Sequence, residues 1–247
     1  MSHPTSPAAA RREQRAGLAG VIGAVLFVLA GAAGFVLETT ARTEGMDDGD
    51  NPAEGLALFA VNPSAYSLSG LALSTSAIAL LLLLVLTVAE TALRSARPLY
   101  ARFVTGLGLI SVVLFFLAGV IRLQAPGTVT HIASLDRDWG LAAYLAVQMS
   151  GTQGALSAAI FACALWSTGL CVASARPRSL PVAVLVLGVL PALVVLLPLG
   201  ALVGRLAGQS IADLVYPVYL VAIVVGLPLF MLALGAALWR MRRRLVD

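Results

Sequence analysis

Ser69–Ala92, SGLALSTSAIALLLLLVLTVAETA, decides the fold class. Its one ionisable side chain, Glu90, lies near its end, and a hydroxyl run, Ser74-Thr75-Ser76, lies near its start. Between them the chain is almost continuously apolar. It lacks the alternation of a half-buried strand and the polar face of a surface helix. A hydrocarbon crossing takes about 20 apolar residues, and this stretch supplies them. Continuous apolarity also separates it from a membrane-barrel strand, where apolar and polar residues alternate over about 10 positions.

Working outward, five further stretches share this character: Gly17–Glu38, Phe103–Arg122, Thr152–Ala173, Pro181–Val203 and Asp213–Trp239. The chain is 60% hydrophobic and 11% charged, with a mean hydropathy of +0.95. Soluble domains carry about 25% charged residues, and a water-soluble core of this size has nowhere to hide so much apolar surface. The expected fold is all-α: a polytopic transmembrane helical bundle of six spans, one domain over residues 17–239. Residues 1–16 form an expected disordered tail, rich in Pro, Ser and Ala at its start, and residues 240–247 a basic one. The first span has the basic approach of a signal peptide, but a secretory apolar core is only about 7–15 residues long. The longer run predicts an uncleaved helix.

Arginine orients the chain. Arg11, Arg12 and Arg15 precede the first span; Arg94, Arg97 and Arg102 separate the second from the third. Arg176 and Arg178 separate the fourth from the fifth, and Arg240, Arg242, Arg243 and Arg244 follow the sixth. The opposite segments carry Glu44, Asp47, Asp48, Asp50, Glu54, Asp136 and Asp138. The positive-inside rule then predicts a multi-pass plasma-membrane protein with both termini cytoplasmic. The same distribution accounts for the net charge of +4, so nucleic acid is not an expected partner.

Ser95-Ala96-Arg97-Pro98 and Ser174-Ala175-Arg176-Pro177 mark two inner turns, where Pro stops one helix before the next begins. The repeat is compatible with a duplicated hairpin or with the common needs of inner turns. Glu90 and Arg94 have the spacing of a helical ion pair. Cys163 and Cys171 lie roughly 12 Å apart along one helix, too far to bridge, and are expected to pack. Pro191, Pro198, Pro217 and Pro228 interrupt the last two spans, and Gly200 and Gly204 permit close helix approach.

Charged groups within lipid default to functional candidates. Glu38 and Arg122 close the first and third spans, Gln153 opens the fourth, and Arg205, Asp213 and Tyr216 flank or follow the outer turn between the last two. These six form a candidate ligand-binding cluster at one outer depth, with Ser74–Ser76 near it. The simpler alternative is that they end the helices and reach the headgroups. Ser134–Ser150, with Asp136-Arg137-Asp138-Trp139 and Tyr144, is expected as a short helix lying on the outer surface.

Catalytic patterns are sparse. His3 and His131 have no partner at metal or haem spacing, and no metalloprotease, P-loop or nucleophile-elbow string occurs. His131 with Asp136 or Asp138 is the one acid–base candidate. Asp47-Asp48-Gly49-Asp50-Asn51 with Glu54 breaks the spacing of a calcium loop. No cofactor, metal or catalytic residue is expected.

Arg15-Ala16-Gly17-Leu18-Ala19-Gly20 enters the first helix and Arg97-Pro98-Leu99-Tyr100-Ala101-Arg102 the third. With the stretch from Phe161 through Trp166, Gly169 and Arg176 to Pro181, this layout resembles bacterial six-span integral membrane proteins of unknown function. The resemblance implies the six-helix fold and supplies no catalytic residues. The function expected is a non-catalytic component that binds a lipid, a small ligand, another membrane subunit or itself at its outer face. Small-solute or ion transport through the same cluster is the alternative.

Overall fold

The computed structural model describes residues 7–43, 52–88, 98–175, 180–194, 221 and 225–243, and all of the regular structure among them is helical. The chain runs α1 (Pro7–Thr43), α2 (Pro52–Val61), α3 (Pro63–Leu71), a π-helical segment π1 (Ala72–Ser76) and α4 (Ala77–Val88). It continues with α5 (Pro98–Leu135), α6 (Arg137–Val147), a second π segment π2 (Gln148–Ala155), α7 (Leu156–Ala175), α8 (Val182–Leu187) and α9 (Leu227–Arg243).

Four helical stretches are long and apolar enough to cross a membrane: Gly17–Gly34, Pro63–Val88, Leu99–Leu135 and Arg137–Ala175. They contain or overlap the first four expected spans. Shorter apolar helices, Val182–Val194 and Leu227–Arg240, overlap the fifth and sixth. Most of the rest of those two spans lies outside the described residues, as do Glu90, Arg94, Arg97, Arg176, Pro177, the acidic run at 47–51, Pro198, Pro217, Gly200 and Gly204.

The long helices overrun the expected spans. α5 has 38 residues and Arg137–Ala175 has 39, about 57 Å at a rise of 1.5 Å per residue, against a hydrocarbon core of about 30 Å. Residues 123–135, polar enough to read as a loop, stay helical. Pro126 is tolerated inside α5, and Thr130 Oγ1 donates 2.6 Å back to the Pro126 carbonyl. The separate surface helix expected over Ser134–Ser150 is corrected: α6 begins there, but π2 joins it to α7 without a break. Asp136 starts α6, its Oδ1 accepting from the amides of Asp138 at 2.8 Å and Trp139 at 3.0 Å, as a short acidic N-cap does.

The chain divides into two compact units. The first comprises Met1–Val28, Leu80–Ile110 and Phe161–Asp247. Its described core brings together Leu80, Leu84 and Val88 of α4, Val104 of α5, Trp166 and Leu170 of α7, and Phe230, Leu234 and Leu238 of α9. Small residues let the backbones close in. Gly20 lies against Leu238, Gly108 against Val85 and Trp166, and Gly188 against the Cys171 sulfur. Both cysteines are unbridged, and Cys171 packs as its position in the sequence predicts. On the opposite faces, Leu18, Ile22, Leu86 and Phe103 are exposed. Helices apolar on both faces suit lipid as the surrounding solvent.

The second unit comprises Leu29–Ala79 and Ser111–Ile160. Ser111 Oγ donates 3.2 Å to the Ala159 carbonyl, joining α5 to α7. A further core unites the segments read as external: Phe59 of α2, Tyr66 of α3, and Ala125 and Val129 of α5, with Tyr144 and Val147 of α6 against them. The Phe59 ring meets Tyr66 at 4.8 Å, tilted, and Tyr144 at 5.1 Å, edge to face, the arrangement ring quadrupoles favour. Gln148 Nε2 donates 3.1 Å to the Tyr144 hydroxyl, which rests on Gly55 where no Cβ fits. These segments therefore form a folded cap.

Candidate functional site

Two of the polar residues singled out in the sequence, Arg122 and Ser74, meet at one turn of α5, Gly119–Leu123. Gly70 of α3 lies against it so closely that a Cβ there would stand 2.6 Å from the Leu123 amide and 2.7 Å from the Gly119 carbonyl. The fit is reciprocal: a Cβ on Gly119 would overlap Ser74 Cβ and stand 2.7 Å from the Gly70 carbonyl. Two helices whose backbones touch in this way need small residues on both sides. Ser67 Oγ adds a 2.9 Å bond to the Leu123 carbonyl.

Both π segments abut this turn. Ser74, in π1, packs on Gly119, and Gly151, in π2, packs on Ile121. A π turn carries one more residue than an α turn and is frequent at functional positions. Its local causes are visible. Ser74 Oγ donates 2.7 Å to the Gly70 carbonyl, so the hydroxyl is satisfied within its own helix. In π2, Gly154 comes up against the Met149 carbonyl, where a Cβ would stand at 2.9 Å. Ser74 is buried and Thr75 exposed; the hydroxyl run thus serves helix packing at its first member.

Arg122 is half-buried on the same turn of α5, and its Cβ lies beside Gly70. Pro126, four residues on, has no N–H to give to the Arg122 carbonyl. Gln153 lies in π2, two residues after Gly151. Glu38 lies in α1, one turn beyond Gly34, which packs on Leu73 of π1. Within this unit α1, which bears Glu38, packs on π1, while π1 and π2, the latter bearing Gln153, pack on the Arg122 turn of α5. Arg205, Asp213 and Tyr216 lie outside the described residues.

His131 is exposed near the end of α5. Asp136, its nearest acidic neighbour in sequence, spends one carboxylate oxygen on two α6 amides. Among the described residues no group of three His, Cys, Asp or Glu is placed to hold a metal ion. What the Arg122 turn offers chemically is a half-buried guanidinium on a closely packed backbone.

Sequence reasoning missed the Gly70–Gly119 approach and the aromatic cap. Gly70-x-x-x-Ser74 is a small-residue pair of the recognised spacing, and Tyr144-x-x-x-Gln148 is a helical i, i+4 pair. Both were readable signals. Compared with known proteins, the chain matches no family model, no curated protein and no solved structure.

Proposed function

We propose that this chain is a non-catalytic, multi-pass component of a bacterial plasma membrane, with six spans and both termini cytoplasmic, that binds a ligand at its outer face. The resemblance to bacterial six-span proteins of unknown function belongs to the same proposal. The observation that carries it is the position of Arg122: a half-buried cation at the end of the third expected span, on the turn where Gly70, π1 and π2 converge. A guanidinium presents a fixed fork of donors to a headgroup phosphate or a carboxylate. The membrane supplies such groups at that depth.

Native mass spectrometry of the full chain, released from detergent, tests it. The wild-type protein is expected to carry a retained lipid or subunit. Arg122→Gln is expected to reduce that adduct about tenfold, equivalent to about 1.4 kcal/mol. An adduct equally abundant in both proteins would remove Arg122 from the site. Transport of a small solute or ion is a second reading, favoured by the two π segments, since interrupted helices release backbone carbonyls. It requires flux in reconstituted vesicles, which the binding role does not.

A further inference from the structure

α1 and α9 bring the two arginine-rich ends of the chain together. Gly235 of α9 lies so close to α1 that a Cβ there would stand 2.8 Å from Ala24 Cβ and 3.1 Å from the Gly20 carbonyl. A Cβ on Gly20 would stand 3.1 Å from Leu238 Cδ1. Going from Gly20 to Ala24 on α1 therefore moves from Leu238 back to Gly235 on α9. The two helices run antiparallel, with small residues where their backbones close in, and both stretches belong to the first compact unit. Arg15 precedes Gly20 and Arg240 follows Leu238, so both lie at one end of the pair, roughly 5 Å apart in height.

Each of these arginines heads an exposed apolar stripe. Arg15, Leu18, Ile22 and Val25 are all exposed and recur at helical spacing on α1. Arg240, Ala236, Leu232 and Leu229 do the same on α9. Contacts elsewhere fix the rotation of both helices: Gly23 of α1 meets the Leu80 carbonyl of α4, and the Phe230 ring of α9 meets Gly188 beyond α8. They turn both stripes to one flank of the pair. Arg11 and Arg12 lie on α1 before Arg15, with the single carboxylate Glu13 among them, and Arg242 and Arg243 close α9. The half-buried Trp239 stands next to Arg240, and indoles favour the headgroup level.

We infer that this end of the α1–α9 pair binds a phospholipid whose headgroup carries two phosphates. Arg15 and Arg240 each meet one phosphate, and the acyl chains lie along the two stripes. Charge selects an anion, since a guanidinium offers phosphate a fork of donors. Depth selects a lipid: Val25 lies about 15 Å along the helix from Arg15, where acyl chains reach and a soluble partner does not. The pairing of the stripes selects the double headgroup, of the kind that basic pockets between membrane helices take up on the cytoplasmic side. The site uses none of the outer polar cluster and rests on the proposed topology only for the leaflet it faces.

The test places the full chain in nanodiscs whose two leaflets share one composition, a zwitterionic phospholipid with either cardiolipin or phosphatidylglycerol, and releases it for native mass spectrometry. One cardiolipin per chain is expected to stay bound. Arg15→Gln and Arg240→Gln are each expected to lower its abundance about fivefold, the worth of one arginine near the membrane surface. Arg102→Gln, at an exposed arginine on α5, should leave it unchanged. Phosphatidylglycerol should be retained at least about fivefold less than cardiolipin. Equal loss from Arg102→Gln, equal retention of the two lipids, or displacement of cardiolipin by inorganic phosphate would each overturn the inference. Because the leaflets are alike, such a failure leaves the topology standing. An adduct lost in Arg122→Gln and kept in Arg15→Gln belongs to the outer face instead.

Discussion

Replacing Gly119 by Leu is expected to lower the melting temperature of the purified protein by roughly 10 °C. The cause is steric and has no cheap relief. The first atom added at Gly119 overlaps Ser74 Cβ and crowds the Gly70 carbonyl, so backbone rather than a flexible side chain must retreat. Overpacking of this kind costs about 3 kcal/mol or more, and at roughly 2–4 °C per kcal/mol for a chain of this size the shift follows. Helix propensity works the other way, since Leu outranks Gly by nearly 1 kcal/mol. Gly106→Leu in the same helix isolates the two effects, because a Cβ there meets nothing within 4 Å. It should hold or raise the melting temperature. Equal melting of the two variants would show that the α3–α5 approach does not carry stability.

Phe59→Ala is the second large effect, and it is local. The ring is 4% exposed and sits between Tyr66 and Tyr144. Truncating a buried Phe costs about 3–5 kcal/mol. Here water, not lipid, is the expected solvent, so the hydrophobic term applies in full. A loss of about 3 kcal/mol corresponds to exchange about 100-fold faster for amides that open with the cap. Hydrogen exchange should show that acceleration across α2 and α6 and leave α4 and α7 unchanged. Unaltered protection of α2 would mean the three rings do not hold the cap together.

How much of this was legible in the sequence depended on whether a residue's role is set by its own segment or by a neighbour. The spans were legible because a lipid-crossing helix is defined by its own composition; Ala77–Val88 needs no partner to be read. The helical run of 123–135 was not. Its polar residues say that it leaves the membrane, and Pro126 argues against a helix, yet α5 supplies its own hydrogen bonds and Thr130 supports the Pro126 turn. The N-cap at Asp136 could have been read from an acidic residue before a helical run. Gly119 could not, because its importance arises from Gly70 and Ser74 on another helix, in a register that no local pattern specifies. The expected close pair at Gly200 and Gly204 lies outside the described residues, while the pair that is described lies elsewhere.

The candidate site divides along the same line. Arg122 was legible because a charge closing an apolar span stands out against its surroundings. The convergence of π1 and π2 on its turn was not, since a π segment reflects packing at Ser74 and Gly151 more than any sequence motif. Ser74-Thr75-Ser76 drew notice for its hydroxyls, but Ser74 bonds its own helix and packs on Gly119.

The proposed membrane topology has lipid around these helices and the arginine-rich segments on the cytoplasmic side. Cysteine labelling in intact bacterial cells tests that most directly, in a chain whose Cys163 and Cys171 are replaced by Ala. With a membrane-impermeant maleimide, Thr128→Cys is expected to label in intact cells, and Ser95→Cys only after the membrane is opened. Labelling of Ser95→Cys in intact cells would contradict it.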